Sequence, residues 1–421
     1  MLDIKLIRQN PELVKEGCRK KQVKVDIDRL LEIDKKRREL MLALEDIRAQ
    51  KNKANDEIKQ IHDKSEREVV ILKMRELDNG NDRLEAEFKE VDAEFQGLMG
   101  LIPNPPAPDV HEGKDDSENK VIRKWGKLPK FDFEPKSHFE LGESLDIIDT
   151  KRAGKVSGSR FGYLKNEMAK LELAMINFAV DLLSKEGFVP VIPPVMISLD
   201  SMKGMGYLEH GGEENMYVLE KDNLVLVGTS EQSIGPMHKD EIFEEKGLPK
   251  RYLGISTCFR REAGSYGKDT KGILRVHQFN KVEMFSFAKP KDSDKEHEYL
   301  LSLEEKLMQA LKLPYQVVKM CTGDLGMPAA RKYDIEAWLP SENRYRETHS
   351  TSTCTDFQAR RLNIRLRKKD GELEFVHMLN GTAFSERPLL AILENYQQKN
   401  GSVKVPDALQ KYTGFKEITK K

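Results

Sequence analysis

Between residues 27 and 98 apolar side chains return every seven residues in two successive runs, and few folds can use such a pattern. In the first run Ile33, Leu40, Ile47, Ala54 and Ile61 hold one seam position, with Arg37, Leu44, Lys51 and Ile58 between them. In the second, Val70, Leu77, Leu84, Val91 and Leu98 alternate with Met74, Asn81, Phe88 and Phe95. Sustained spacing of this kind, with charge elsewhere, specifies helices that wind about each other along a narrow seam. The polar stretch 62–68 separates the runs. One long antiparallel helical hairpin (a coiled coil) is therefore expected, with arms of ~35 residues reaching ~50 Å at the helical rise. Such a hairpin buries little beyond its own seam. It suits either a spacer or oligomerisation element, or an arm that touches a large partner. Gly97, Gly100 and then LIPNPPAPDV close it, and proline cannot continue a helix. The chain thus divides into an arm over 1–102, a stiff linker over 103–112 and a second domain over 113–421.

Charged residues make up 34% of the chain and hydrophobic ones 38%, the balance that long solvated helices produce. Formal net charge is zero, so nucleic-acid binding would need local basic patches rather than a global field. Cys18, Cys258, Cys321 and Cys354 are far apart with no C-x-x-C, against a zinc knuckle or a disulfide framework. The opening MLDIKLIRQNPEL lacks the layout of a signal segment, and no apolar run is long enough to cross a bilayer. A cytoplasmic protein with no membrane association is the expectation.

Past the linker, the spacing predicts helices over 163–186, 232–243, 295–311 and 387–400, and strands at 223–227, 316–319, 333–339 and 374–379. FVPVIPPVMI reads as a strand that Pro193 and Pro194 confine to a sheet edge or an interface. The fold class is α+β: an antiparallel sheet flanked by helices, carrying the N-terminal hairpin. No G-x-G-x-x-G follows a strand and no G-x-x-x-x-G-K-[ST] occurs, which disfavours the common parallel-sheet nucleotide folds. The segment 256–288 predicts two strands, 252–261 and 273–287, around a loop bearing Gly264, Gly267, Gly272, Lys268 and Lys271. Alternation puts Arg275, His277, Phe279, Lys281 and Glu283 on one face. That face fits either a site for an anion, a flat ring and an amine, or a salt-bridged antiparallel surface.

KVSGSRF at 155–161, GTSEQ at 228–232, CFRREAGSYGKDTKG at 258–272, RVHQFNKVEMF at 275–285, TDFQARR at 355–361 and LNGTAFSERPLLAILENYQ at 379–397 occur in one order with the hairpin and the IPNPP linker. In these strings, over essentially its whole length, the chain resembles the seryl-tRNA synthetases, a class II aminoacyl-tRNA synthetase family. The resemblance implies a class II antiparallel sheet, a homodimer built on the 163–186 helix and the strand after it, and serine activation by ATP with transfer to tRNA(Ser). tRNA(Sec) is a second candidate acceptor. A catalytically silent relative that only binds RNA or another partner would have lost Arg260, Glu283, Glu347 or Arg387, and all four are present.

The resemblance also assigns residues. Arg260, Glu347 and Arg387 match the catalytic positions. Arg260, Arg261, Glu262, Val276, Phe279, Glu347, Thr348, His349, Ser350 and Arg387 match the ATP-contacting ones. Within these, Arg260 meets the α-phosphate and the serine carboxylate, Glu262 the adenine amino group, Phe279 one face of adenine, Arg387 the opposite face near the γ-phosphate, and Val276 contributes backbone. Arg275 and Lys271 are weaker phosphate candidates. Thr229, Ser230, Glu231, Glu283 and Thr382 match the serine pocket. Glu347 matches the carboxylate for Mg²⁺. ETHSTSTCTDFQ departs from the shorter isoleucine- and serine-containing version of many bacterial relatives, and His349 is expected as a polar pocket wall rather than a catalytic base. The hairpin matches the arm that holds the long variable stem of the tRNA, with Lys36, Arg38, Arg48, Lys53, Arg67 and Lys73 as candidate contacts.

Overall fold

The computed structural model describes residues 1–264 and 272–420, so Gly267, Lys268 and Lys271 lie outside the described residues. The chain divides into two units: Leu2–Arg19 with Val23–Ile102, and Met1 and Lys20–Gln22 with Pro103–Lys421.

In the smaller unit the heptad runs are helices α1 (Ile27–Gln60) and α2 (Lys64–Leu101). Asp26 caps α1, accepting from the Arg29 N–H at 2.8 Å. Asp63 caps α2, accepting from Ser65 and Glu66 N–H groups at 2.9 and 3.0 Å. The turn is therefore shorter than 62–68, and Lys64–Glu68 already belong to α2. Leu40, Leu44, Ala54, Val91 and Phe95 are buried along the seam. Cross-pairs run in opposite senses along the two helices: Arg29 with Glu94 at 2.9 Å, Lys36 with Glu87 at 2.7 Å, Lys51 with Asp78 at 2.5 Å. Arg37, a charge at a seam position, is accommodated by Asp92 at 2.5 Å and by the Phe95 ring 4.8 Å below it.

The larger unit is built on strands β1 (Lys120–Trp125), β2 (Val189–Val191), β3 (Lys250–Phe259), β4 (Gln278–Ala288), β5 (Tyr315–Lys319), β6 (Arg331–Leu339), β7 (Arg344–Thr353) and β8 (His377–Phe384). They form one sheet in the order β1-β5-β6-β7-β8-β4-β3-β2. Every pairing is antiparallel except β2 on β3, which is parallel. Helices α3 (Asn166–Lys185) and α4 (Ser293–Ala310) cover one face, where Met175, Leu300 and Leu307 meet Val282 and Met284 of β4. On the other face Phe285 and Phe287 pack with Met205, Ile234 and Leu362. From Val282 onward the even-numbered β4 residues thus serve the helical core, and on the opposite face Lys281 and Glu283 remain available to a site.

Several boundaries differ from the sequence reading. FVPVIPPVMI is two strands rather than one: Val189–Val191 takes the sheet edge, and Met196–Ser198 joins a small sheet with Leu224–Leu226. β4 begins at Gln278 rather than 273, because Gly272 turns the backbone (φ 76°) and the His277 N–H is taken by the Arg160 carbonyl at 3.0 Å. The alternation of Leu274 and Val276 reports burial in a bend, not strand pairing. The helix expected over 232–243 stops at Ile234; Pro236 supplies no N–H for a continued ladder, and Ile242–Glu244 is a strand. The helix α5 (Arg387–Asn395) ends before Gln397, which bridges Val403. The segment 103–112 is bonded along the larger unit rather than spanning free: Asn104 Nδ2 donates to the Pro328 and Cys354 carbonyls at 2.9 and 2.8 Å, and Asp109 pairs with Lys319 and Arg331 at 2.6 and 2.8 Å.

Candidate active site

The site is a polar floor made by the free face of the sheet. Directly opposed residues share a face, and the pairs Glu283 with Thr382, Asp334 with Ser350, and Lys332 with Ser352 line it. Thr229, Ser230 and Glu231 close against this floor. Their approach depends on Gly254, which lies opposite Glu283: a Cβ there would sit 2.4 Å from Ser230 Oγ. All three of these residues are buried, as are Glu283 and Thr382.

Charge in this half of the site is negative and underpaired. Lys281 Nζ lies 2.5 Å from Glu283 Oε2 and donates to Thr229 Oγ1 at 3.3 Å. Burial, helped by the neighbouring Glu231, pushes the Glu283 carboxyl up to about 7, with Lys281 opposing. Burial also raises Glu231, against the hydrogen bond from the Tyr207 hydroxyl at 2.7 Å and one from Gln358 Nε2 at 3.3 Å. A compact, buried, acidic pocket with hydroxyl partners suits a small ammonium ligand.

The other half is cationic. The Arg260 N–H bonds the His277 carbonyl at 2.9 Å and its Nε the Gly228 carbonyl at 3.1 Å. Its guanidinium lies 5.2 Å from the Phe279 ring centroid, so one face of that ring carries a cation. Arg387 opens α5 and donates to Glu347 Oε2 at 2.9 Å and to the Glu347 carbonyl at 3.0 Å. Desolvation would raise the Glu347 carboxyl, but Arg387 and then Lys332 outweigh it and hold it well below the usual carboxylate range. Glu262 takes a left-handed backbone (φ 54°) and pairs with Arg275 at 2.9 Å.

Not every expected residue reaches this floor. β7 carries a bulge: Glu336 opposes Glu347 and Ile335 opposes His349, leaving Thr348 extra. Glu347 is thereby placed on the same face as Glu336, Asp334 and Ser350, while His349 shares the helical face with Ile335, 5.9 Å from the Phe384 ring. Burial pushes His349 down to about 3, and its Nδ1 meets Thr348 Oγ1 at 2.8 Å. The expected pocket wall is thus corrected to a neutral core histidine. Thr348 spends its hydroxyl on the Ile335 carbonyl at 3.1 Å. The Val276 side chain is in the core, leaving only its backbone for a ligand, and Arg261 is exposed with its N–H on the Asn215 carbonyl at 2.9 Å.

The sequence reading missed Lys332 and Asp334 as floor residues, and Tyr207 and Gln358 as partners of Glu231. Lys332, Asp334 and Glu336 alternate with Tyr333, Ile335 and Ala337, a period-two signal that marks a polar face. Tyr207 and Gln358 reach Glu231 from distant parts of the chain, and no local pattern announces them.

The N-terminal domain model of seryl-tRNA synthetases matches residues 1–106, and the model of the class II tRNA synthetase core domain (G, H, P, S and T) matches residues 217–396. The serine–tRNA ligase of Dictyoglomus turgidum is 46% identical over 425 residues, covering all of both chains. The chain belongs to the seryl-tRNA synthetase family. Among solved structures, the seryl-tRNA synthetase of Pyrococcus horikoshii complexed with ATP matches with a TM-score of 0.90 at 42% identity, over 100% of both chains. The cytoplasmic serine–tRNA ligase of Naegleria fowleri, in complex with AMP, matches with a TM-score of 0.86 at 34% identity, over 100% of this chain and 99% of that one. Among the described residues no helix is long and apolar enough to cross a membrane, and no group of three or more His, Cys, Asp or Glu could hold a metal ion.

Proposed function

We propose that this seryl-tRNA synthetase family member activates L-serine with ATP and transfers the seryl group to tRNA(Ser) along the following lines. The observation that carries the residue assignments is the division of one sheet face into a buried acidic pocket around Glu283 and a cationic half around Arg260 and Arg387. The serine ammonium and hydroxyl are held by Glu283, Thr382, Thr229 and Glu231, with the Ser230 backbone framing the pocket. The serine carboxylate attacks the α-phosphorus of ATP and pyrophosphate leaves. Arg260 bridges carboxylate and α-phosphate, drawing together two anions that repel in water. Arg387 takes the outer phosphates, Phe279 is the adenine platform, and Glu262 and the Val276 backbone read the base edge. In the second step the terminal ribose hydroxyl of the tRNA attacks the seryl carbonyl and AMP leaves.

Glu347 and Ser350 fit Mg²⁺. They are hard oxygen donors, Glu347 is kept ionised and half exposed, and Mg²⁺ is commonly held by one or two carboxylates with substrate phosphates completing its shell. When bound it neutralises phosphate charge. We expect Glu347→Gln to lower exchange roughly a hundredfold and to shift the Mg²⁺ midpoint upward in a metal titration at fixed ATP. An unchanged midpoint would remove Glu347 from the metal assignment.

The hairpin is proposed as the tRNA arm. Among its candidate contacts Lys36 is paired with Glu87 at 2.7 Å and Arg38 with Asp34 at 3.2 Å. Arg48, Lys53, Arg67 and Lys73 are exposed and make no ion pair among the described residues, so they lead the ranking. A homodimer is proposed through the β2 edge, where Val189, Ile192 and Met196 are exposed, Ile192 at 84%. Cytoplasmic location and tRNA(Sec) as second acceptor complete the proposal.

Serine-dependent ATP–pyrophosphate exchange tests it. Alanine leaves the hydroxyl partners unpaired and should be rejected by roughly 10⁴, whereas threonine is excluded by size and less strongly. Exchange with neither serine nor its analogues would sink the proposal. The pH dependence follows from Glu283. It binds an ammonium only when ionised, and burial places its titration near 7. KM for serine should therefore fall roughly tenfold between pH 6 and pH 8, as Glu283 loses its proton. A flat profile across that window would show that Glu283 is already ionised or does not face the ammonium.

A further inference from the structure

We propose that the segment 206–216 is a positioning strap that ties the serine pocket to the backbone on either side of Glu262, making Tyr207 and Asn215 positioning residues that couple the two substrates. The inference rests on the serine-activating reading above, and concerns how its two half-sites communicate.

The strap is fastened at both ends and in the middle. It leaves the helix Leu199–Met205 at Gly206, whose left-handed backbone (φ 81°) ends that helix. Next, the Tyr207 hydroxyl donates to Glu231 Oε1 at 2.7 Å. Gln358 uses the same oxygen at 3.3 Å, and also holds the Met205 carbonyl at 3.2 Å. Both donors therefore leave Glu231 Oε2 for a ligand. In the middle, the Glu209 carboxylate takes a 2.7 Å bond from Arg361, a pair whose side chains are almost wholly buried. At the far end, the Asn215 carbonyl accepts from the Arg261 N–H at 2.9 Å, and Asn215 Oδ1 from the Ala263 N–H at 3.0 Å. Those two N–H groups flank Glu262, the residue proposed at the adenine edge. Tyr217 follows at once, edge-on to His277 at 6.3 Å, and His277 in turn holds the Arg260 backbone.

The segment between the two fastenings has little slack. Gly212 packs so closely on the Tyr207 carbonyl that a Cβ there would lie 1.8 Å from it. A shift of Tyr207 as Glu231 meets serine is thus passed to Asn215 through a short closed loop rather than absorbed. A positioning role follows because neither Tyr207 nor Asn215 has to touch a substrate. Each fixes a group that does: Tyr207 the carboxylate of Glu231, Asn215 the backbone on either side of Glu262.

Isothermal titration of the full-length protein reads this directly. The affinity for serine is measured with and without a non-hydrolysable ATP analogue, and the ratio of the two is the coupling. The parent should bind serine several-fold tighter with the analogue present. Tyr207→Phe keeps the ring and removes one hydrogen bond to a carboxylate, so serine affinity should fall roughly tenfold or more and the ratio should shrink. Asn215→Ala should bring the ratio close to one, and Asn215→Asp, which retains the acceptor for Ala263, should restore it. A purely structural role would lower both affinities and leave their ratio alone. The strap is refuted by a parent ratio of one, or by an Asn215→Ala ratio equal to the parent's. If the parent itself shows no serine-dependent exchange, the functional reading falls first and takes this inference with it.

Discussion

Replacing Arg260 with alanine is expected to reduce serine-dependent pyrophosphate exchange by about 10³-fold or more while leaving the protein folded. One preorganised donor aimed at developing charge is commonly worth about 10²–10³ in turnover, and a guanidinium placed between carboxylate and phosphate supplies at least two. The structure shows why Arg260 is preorganised. Its backbone N–H is fixed by His277, its Nε by the Gly228 carbonyl at 3.1 Å, and its plane by Phe279 at 5.2 Å. Those contacts leave the two terminal nitrogens for anions. Arg260→Lys should recover little, because an ammonium is a point charge and cannot bridge two acceptors in a plane. The measurement is kcat and KM for ATP and for serine separately. A fall in kcat with modest KM changes marks an interaction made mainly in the transition state. A rise in KM for ATP at unchanged kcat would contradict the assignment and make Arg260 a ground-state anchor. Circular dichroism melts of both variants should lie close to the parent's, since the Gly228 carbonyl that Arg260 Nε bonds is only partly buried.

The hairpin was legible because a seven-residue period has one structural solution, and even the charged seam position Arg37 found a local answer in Asp92 and Phe95. The alternation after 278 placed Phe279, Lys281 and Glu283 together, and the strand carries them so. It failed at Leu274 and Val276, whose apolar spacing came from burial in a bend; period two is a pattern of exposure and does not by itself require a ladder. His349 failed for a different reason. A single inserted residue, Thr348, reversed the faces of β7, and a bulge leaves no trace in hydropathy. The motif strings located Glu347 and Ser350 on either side of it, but which way each side chain pointed was set by pairing with β6. Tyr207 and Gln358 were invisible for a third reason. Their partner Glu231 is near only after folding, so the hydrogen bonds that orient it belong to tertiary structure alone.

Shortening the hairpin should separate the two half-reactions. Replacing residues 52–77 by a short glycine–serine turn removes the outer part of both helices, ~20 Å at the helical rise. It keeps the Lys51–Asp78 pair beside the new turn, and the Lys36–Glu87, Arg37–Asp92 and Arg29–Glu94 pairs further down. The retained seam still buries Leu40, Leu44, Val91 and Phe95, so the stub should remain helical. Pyrophosphate exchange should stay within about twofold of the parent, because every residue assigned to serine or ATP lies beyond 113. Charging of tRNA(Ser) should fall by roughly a hundredfold or more. The excised segment contains Lys53, Arg67 and Lys73, exposed cations that make no ion pair among the described residues, and each backbone phosphate they would meet contributes through released counterions. The residual charging should also depend less steeply on salt than the parent's, since fewer phosphates are neutralised. That slope distinguishes lost contact from a damaged active site. Equal loss of exchange and charging would mean that the arm supports the fold of the catalytic unit. Charging at the parent rate with an unchanged salt slope would mean that tRNA is held elsewhere, and the long hairpin would then have to be explained as a spacer.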